Sequence, residues 1–119
     1  MDTQLYPPIS KKLARKRAQL APGISAAFKA FSTRVFADGA LPTKTKQLIA
    51  VAVAHATQCP YCIRGHTELA VKHGATEAEV MEAIWVAAEM RAGGAYAHAN
   101  MALETMSQLE AGRCGGGTA

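Results

Sequence analysis

Apolar residues recur every three or four positions along most of the chain, which is the spacing that gathers them on one face of an α-helix. The clearest stripe lies between residues 24 and 36 and comprises Ile24, Ala27, Phe28, Phe31 and Val35. Prolines, glycines and a capping-box sequence at residues 76–79 divide the chain into about six such segments. The pattern predicts an all-α fold of about six helices.

Local signals mark where these helices begin and end. Pro42 and Thr43 start the third helix, and Gly74 follows a basic last turn as the C-terminal glycine of the fourth. In the fifth helix Trp85 widens the apolar stripe and is expected to anchor the core. The pair Gly93-Gly94 should break or bend the chain before a last helix that ends near Leu109.

Residues 48–54 allow two interpretations, because a short apolar run fits a buried strand as well as part of a helix. A strand that leads into CxxC at a helix start is the local arrangement of thioredoxin-like proteins. Those folds also need later strands and a cis-proline, but no proline and no β-branched run follow Pro60. We therefore reject the thioredoxin fold.

The composition limits how much apolar surface one copy of the chain can bury. Of its 119 residues, 50% are hydrophobic and 6% aromatic, and alanine supplies much of the apolar fraction. Such small side chains bury little area per residue, so we expect a homo-oligomer in which copies cover further apolar faces. Residues 1–111 are predicted to form a single domain, and the glycine-rich residues 112–119 a flexible tail.

Charge and apolar runs limit the partners and the compartment. The formal net charge is +4, and much of the excess lies in residues 11–17. No recognition motif or interleaved aromatic residue accompanies these charges, so we interpret them as a solvated helix face and expect neither nucleic-acid nor membrane binding. No signal-peptide pattern opens the sequence. We expect a cytoplasmic protein, in which a CxxC pair is more often catalytic, redox-sensing or metal-binding than a permanent disulfide.

The candidate chemistry lies in residues 58–66, QCPYCIRGH. If Cys59 caps a helix that begins at Pro60, the sulfurs of Cys59 and Cys62 lie at the positive end of the helix dipole, which favours the reactive thiolate. Their three-residue separation brings both sulfurs to one face, so a disulfide can form with little backbone movement. His66 projects from the same face and can exchange a proton with a sulfur. These residues favour a redox-active dithiol.

Two other interpretations of the motif remain open. Cys59, Cys62 and His66 offer three zinc ligands, to which His73 or His55 could add a fourth. Ligands confined to one helical turn rarely surround a metal without a second, distant pair, so we expect no metal and no cofactor. The cysteines could also be core side chains without reactivity.

Residues 44–67, KTKQLIAVAVAHATQCPYCIRGHT, resemble the signature of the carboxymuconolactone decarboxylase superfamily in its AhpD-like alkylhydroperoxidase branch. The continuation at residues 74–76 and 79–84 is similar to that family too, and the resemblance covers roughly residues 25–108. It implies an all-helical fold, with the CxxC at a helix N-terminus, that assembles as trimers or hexamers and reduces hydroperoxides.

The resemblance also implies a role for each residue of the motif. Cys62 matches the thiolate that attacks the peroxide, Cys59 the cysteine that resolves it as a disulfide, and His66 the histidine of the family. An external dithiol, such as a lipoyl protein or a thioredoxin-like donor, then reduces the disulfide.

The chain departs from the family pattern at Gln47, where the family often has a glutamate that acts as the base of a proton relay. An amide cannot accept a proton at neutral pH. We hypothesise that His55 or His66 deprotonates the thiol instead, while Gln47 only orients a water. His55 could equally be a half-buried histidine that is hydrogen-bonded to the backbone.

The sequence favours a thiol-dependent hydroperoxidase or disulfide reductase over two other classes of function. Classical decarboxylases of the superfamily work without the cysteine pair, so the presence of Cys59 and Cys62 argues for redox chemistry. One alternative is a non-redox, carboxymuconolactone decarboxylase-like enzyme in which the cysteines are vestigial or structural. The other is a redox-sensing binding module whose CxxC switches its assembly state.

Overall fold

A computed structural model of the chain describes residues 5–8 and 10–114, and this part folds into six α-helices. They are α1 (Lys11–Leu20), α2 (Pro22–Phe36), α3 (Thr43–Thr57), α4 (Pro60–Lys72), α5 (Glu77–Ala97) and α6 (Ala99–Cys114). The prediction of an all-α fold is confirmed. The ambiguous residues 48–54 lie within α3, so they are helical. The last five residues of the predicted tail lie outside the described residues.

The signals that predicted the end of α4 and the start of α5 are found in place. Thr76 and Glu79 form the capping box of α5, each side chain accepting the other's backbone N–H. Pro22 is the first residue of α2, where its missing N–H costs nothing. Gly74 follows α4 with φ +94°, a conformation that favours glycine because it has no Cβ.

The core lies where α3 packs against α4 and α5. Val51, Ala70 and Ala75 form its buried cluster, and three larger, partly buried side chains surround it: Leu48, Val80 and Ile84. The buried residues are mostly alanine, so the helices approach closely but enclose little apolar area. This core fixes α3 against α4, and the CxxC motif lies at their junction.

A polar connection attaches α2 to the start of α3. The Thr43 backbone N–H donates to the Asp38 carboxylate at 2.8 Å, and the Thr43 hydroxyl donates to the Phe36 carbonyl at 2.8 Å. Lys46 Nζ donates to the carbonyls of Val35 and Ala37 at the C-terminal end of α2. Hydrogen bonds from Thr43 lower the pKa of Asp38 below its ordinary value. The end of α2, including Phe36, is thereby held beside α3.

The predicted break at Gly93-Gly94 is wrong. Helix α5 continues through both glycines and stops at His98, whose backbone N–H still bonds the Gly94 carbonyl. A glycine in a helix costs about 1 kcal/mol relative to alanine, and nearby alanines of high helix propensity offset that cost. Helix α6 then runs to Cys114, beyond the predicted end near Leu109.

Large apolar side chains lie on the outer faces of the molecule. Trp85 is 68% exposed, so the expectation that it anchors the core of the chain is wrong. The α2 stripe also faces outward, since Phe28 and Phe31 are about two-thirds exposed. Among the described residues, no helix has the length and apolar character needed to cross a membrane.

Candidate redox site

A sharp turn between α3 and α4 positions the first cysteine. Gln58, which ends α3, has φ 56° and ψ 48°, a left-handed conformation that only glycine adopts without cost. The Cys59 backbone N–H reaches back to the Ala54 carbonyl at 3.1 Å, and Arg91 of α5 donates to the Ala56 carbonyl at 3.2 Å. These bonds satisfy the end of α3 and leave Cys59 as the N-cap of α4.

The two sulfurs of the motif are in direct contact. Both cysteines are free thiols and half-buried, and their Sγ atoms lie 2.7 Å apart, joined by a hydrogen bond. The Cys62 backbone N–H also donates to Cys59 Sγ, at 3.3 Å. Pro60 occupies the first turn between them, as the sequence predicted. The pair can therefore close to a disulfide by a small movement of the sulfurs.

The environments of the two thiols differ. Hydrogen bonds from the Cys62 side chain and then from its backbone N–H lower the pKa of Cys59. The same side-chain bond, followed by burial and the charge of Cys59, raises the pKa of Cys62. A proton between two sulfurs can reside on either one. The fixed N–H donor and the N-cap position favour the thiolate at Cys59, so we place the proton of the singly ionised pair on Cys62.

Gln47 of α3 and His66 of α4 form a second hydrogen-bonded pair. Gln47 is 2% exposed, and its Oε1 lies 2.7 Å from His66 Nδ1. Because an amide oxygen can only accept, Nδ1 carries a proton and Nε2 of the neutral ring is an acceptor. The contact is direct, whereas the sequence had suggested that Gln47 orients a water. Phe36 stacks on the His66 ring, with centroids 5.1 Å apart.

His55 makes its hydrogen bond within α3 and not to the cysteines or to Gln47. Its Nδ1 lies 2.8 Å from the Val51 carbonyl, one turn back in the same helix, and the side chain is half-buried. This is the backbone-bonded state that the sequence left as the alternative to a catalytic role. Among the residues that the structure describes, the hydrogen bonds group the predicted site residues into two pairs, Cys59 with Cys62 and Gln47 with His66.

Sequence reasoning missed two aromatic contacts at the site. Phe36, which stacks on His66, is thirty positions away from it in the chain, and its place in the apolar pattern of α2 gave no sign of this contact. Tyr6 lies edge-on to Tyr61, with ring centroids 5.9 Å apart and planes at 90°. Tyr61 lies between the two cysteines in the sequence, so the segment before α1 contacts the CxxC motif.

No metal cluster accompanies the pair in the described part of the chain. No three His, Cys, Asp or Glu side chains there converge as metal ligands. An open groove of about 700 Å³ runs along α1 and is lined by Lys12, Leu13, Arg15, Lys16 and Gln19. We assign the groove no part in the chemistry, because a single helix lines it and the cysteines are absent from it.

Comparison with known proteins places the chain in a family. The model of the carboxymuconolactone decarboxylase family matches residues 22–105, which is most of the chain. The chain therefore belongs to the carboxymuconolactone decarboxylase family, and the family resemblance of the sequence is confirmed.

Individual relatives agree with this assignment. A protein of the cox locus of Paracoccus denitrificans is 64% identical over 87 residues, which are 73% of this chain and 78% of the relative. A carboxymuconolactone decarboxylase family protein of Legionella pneumophila, solved in its apo form, is 36% identical and superposes with a TM-score of 0.65 over 82% of this chain and 87% of its own.

A third relative, from Thermotoga maritima, is a member of the same family for which a part in the antioxidative response has been suggested. It is 25% identical, with a TM-score of 0.56 over 91% of this chain and 97% of its own. The AhpD-like resemblance of residues 44–67 is consistent with these relatives.

Proposed function

We propose that this chain is a thiol-dependent hydroperoxidase that uses Cys59 and Cys62 as a redox pair and His66 as an acid–base partner. The observation that carries the proposal is the contact of two free sulfurs, 2.7 Å apart, at the N-terminus of α4. A helix N-terminus favours thiolate, the nucleophilic form of cysteine, and the short distance favours reversible disulfide formation. The antioxidative role suggested for the Thermotoga maritima relative supports the same class of reaction.

The reaction proceeds in two halves. In the first, Cys62 loses its proton and its sulfur attacks the terminal oxygen of the hydroperoxide. The O–O bond breaks, Cys62 becomes a sulfenic acid, and the leaving alkoxide takes up a proton to become an alcohol. Cys59 then attacks the Cys62 sulfur, forms the disulfide and releases water. His66, whose ring Gln47 and Phe36 hold in place, supplies or accepts a proton through Nε2.

The second half returns the pair to the dithiol and needs an external reductant. We propose a dithiol donor, such as a lipoyl-bearing or thioredoxin-like protein, which leaves as its own disulfide. Over one cycle a hydroperoxide and a dithiol become an alcohol, water and a disulfide. A cytoplasmic location fits this chemistry, because a reducing compartment keeps such a pair cycling.

We further propose that the working form is a homo-oligomer, a trimer or a hexamer. The chain exposes 9724 Å² of surface, whereas a compact protein of this size exposes about 6,200 Å². Large apolar side chains contribute to the excess, among them Phe28, Phe31, Trp85, Met101 and Met106. Copies of the chain that pack on these faces would bury apolar surface away from solvent, as the subunits of obligate oligomers do.

Peroxide turnover with a dithiol donor tests the proposed activity. The wild type should reduce an alkyl hydroperoxide, and Cys62→Ser should lose that turnover. Cys114→Ser removes the third cysteine, which is not part of the pair, and should retain the peroxide turnover. Equal turnover in the wild type and Cys62→Ser would contradict the proposal, as would activity that survives alkylation of both motif cysteines.

A further inference from the structure

One amide side chain occupies a position in the core that apolar residues ordinarily fill. In the part of the chain that the structure describes, Gln47 is the only polar or charged residue that is buried, at 2% exposure. It lies on the inner face of α3 with Val51 and Ala54, which are also buried. An amide that leaves water needs hydrogen-bond partners, and the bond that Gln47 makes is to His66. The amide is therefore placed toward the histidine.

The contact decides which nitrogen of the neutral ring is protonated. Gln47 Oε1 lies 2.7 Å from His66 Nδ1, and an amide oxygen only accepts, so the hydrogen is on Nδ1 and Nε2 has a free lone pair. Among the described residues, none makes a hydrogen bond to Nε2. A histidine ring free in water favours the opposite tautomer, with the hydrogen on Nε2. The contact with Gln47 therefore reverses the preference of the ring.

Phe36 restrains the same ring from its face. The two rings stack with centroids 5.1 Å apart and an angle of 29° between their planes. The hydrogen bond from Nδ1 restrains the His66 ring within its plane, and the stacked phenyl ring restrains its tilt. Cys62 lies four residues before His66 on α4, a spacing at which helical side chains are neighbours. The ring thus offers a fixed proton acceptor one helical turn from the sulfur that is proposed to attack the peroxide.

We propose that Gln47 is a positioning residue that holds His66 in the tautomer whose Nε2 accepts the proton of Cys62. This inference rests on the proposed function and assigns the direction of its proton transfers. Cys62 gives its proton to Nε2, and the thiolate attacks the hydroperoxide. The O–O bond breaks, Cys62 becomes a sulfenic acid, and the ring returns the Nε2 proton to the leaving alkoxide. The ring ends in its starting tautomer, and Gln47 neither gains nor loses a proton.

The tautomer of His66 tests the proposal without reference to peroxide turnover. Nitrogen-15 NMR of the reduced protein distinguishes a protonated ring nitrogen from an unprotonated one. In the wild type with a neutral ring, Nδ1 should carry the hydrogen and Nε2 should be unprotonated. Gln47→Leu keeps the position filled but removes the acceptor, so the hydrogen should move to Nε2 in most molecules. A wild-type ring with its hydrogen on Nε2 would overturn the proposal, because the amide would then donate to Nδ1.

Two matched variants separate the hydrogen bond of Gln47 from ordinary packing. Gln47→Glu keeps an oxygen that accepts from Nδ1, so the wild-type tautomer should persist. Phe36→Leu removes the stacked ring but leaves the hydrogen bond, so the wild-type tautomer should persist there too. Thermal unfolding of the reduced proteins checks that each variant is folded. A tautomer lost equally in Gln47→Leu and Phe36→Leu would contradict the assigned role, since packing alone would then set it.

Single-turnover peroxide consumption measures the consequence for the reaction. General acid–base catalysis contributes about 10²–10⁴-fold, so Gln47→Leu should lower the rate at pH 7 at least about tenfold, and Gln47→Glu should recover most of it. Because the carboxylate also stabilises the protonated ring, the rate of Gln47→Glu should begin to fall at a higher pH than that of the wild type. An unchanged rate in Gln47→Leu would overturn the positioning role and leave the proposed function standing. A wild-type protein that consumes no peroxide would overturn the proposed function itself.

Discussion

Side chains at the junction of α3 and α4 are buried or hydrogen-bonded within the chain. On the outer surface of α5 and α6, large apolar side chains are exposed instead. At the junction, Val51 is fully buried, and Gln47, at 2% exposure, has its hydrogen-bond partner within the same chain. On α5 and α6, large apolar side chains such as Trp85 and Met101 are about two-thirds exposed. The contrast supports the proposal that one copy of the chain positions the residues of the candidate site, whereas further copies cover its outer apolar faces.

The largest effect expected from this contrast is on assembly. Trp85→Glu places a charge where a proposed subunit contact would bury a tryptophan, and loss of such an anchor costs at least about 2 kcal/mol. We expect a smaller particle by light scattering, with the cysteine pair still able to form its disulfide. Glu82→Ala changes another exposed residue of α5 and serves as the control. A particle of unchanged mass would place Trp85 outside any subunit contact.

The next largest effect separates the two faces of α3. Val51→Ala leaves a cavity in the buried cluster and should lower the free energy of unfolding by about 2–3 kcal/mol. Val53→Ala changes a residue that is 54% exposed and should alter the free energy of unfolding by less than about 0.5 kcal/mol. Chemical denaturation of both variants measures the difference. Equal losses would mean that the outer face of α3 is packed as tightly as the inner one.

A smaller effect concerns access to the cysteines. Tyr6 covers the edge of Tyr61, and an aromatic pair of this kind contributes about 0.5–1.5 kcal/mol, which corresponds to a factor of roughly two to ten. Tyr6→Ala should therefore speed alkylation of the pair by a bulky maleimide by about that factor. Tyr96→Ala alters a tyrosine that is 84% exposed and should have no effect. Equal alkylation rates in all three proteins would show that Tyr6 does not shield the motif.

The smallest effect lies in the turn before Cys59. Gln58 has a left-handed conformation that glycine adopts without strain, so Gln58→Gly should stabilise the fold by about 0.5–1 kcal/mol. Thermal unfolding of the reduced protein measures the change. Destabilisation would indicate that the Gln58 side chain makes a compensating contact.

Local sequence signals were enough to predict the helices and the cysteine pair. A proline after Cys59 and the three-residue spacing fix the N-cap geometry, and the capping box at Thr76 fixes the start of α5. The pairing of Gln47 with His66 depends on how α3 packs against α4, so no local pattern contains it. Trp85 was wrongly assigned to the core. An apolar stripe indicates that a helix face is covered, but it does not show whether the same chain or another copy covers that face.

The central claim is that the two motif sulfurs behave as one coupled dithiol whose two protons leave in separate steps. Titration of thiolate absorbance in the reduced Cys114→Ser protein tests it most directly. Because the pKa of Cys59 is lowered and that of Cys62 raised, the first thiolate should appear below the range of an ordinary cysteine and the second above it. A single two-proton step in the ordinary thiol range would contradict the account.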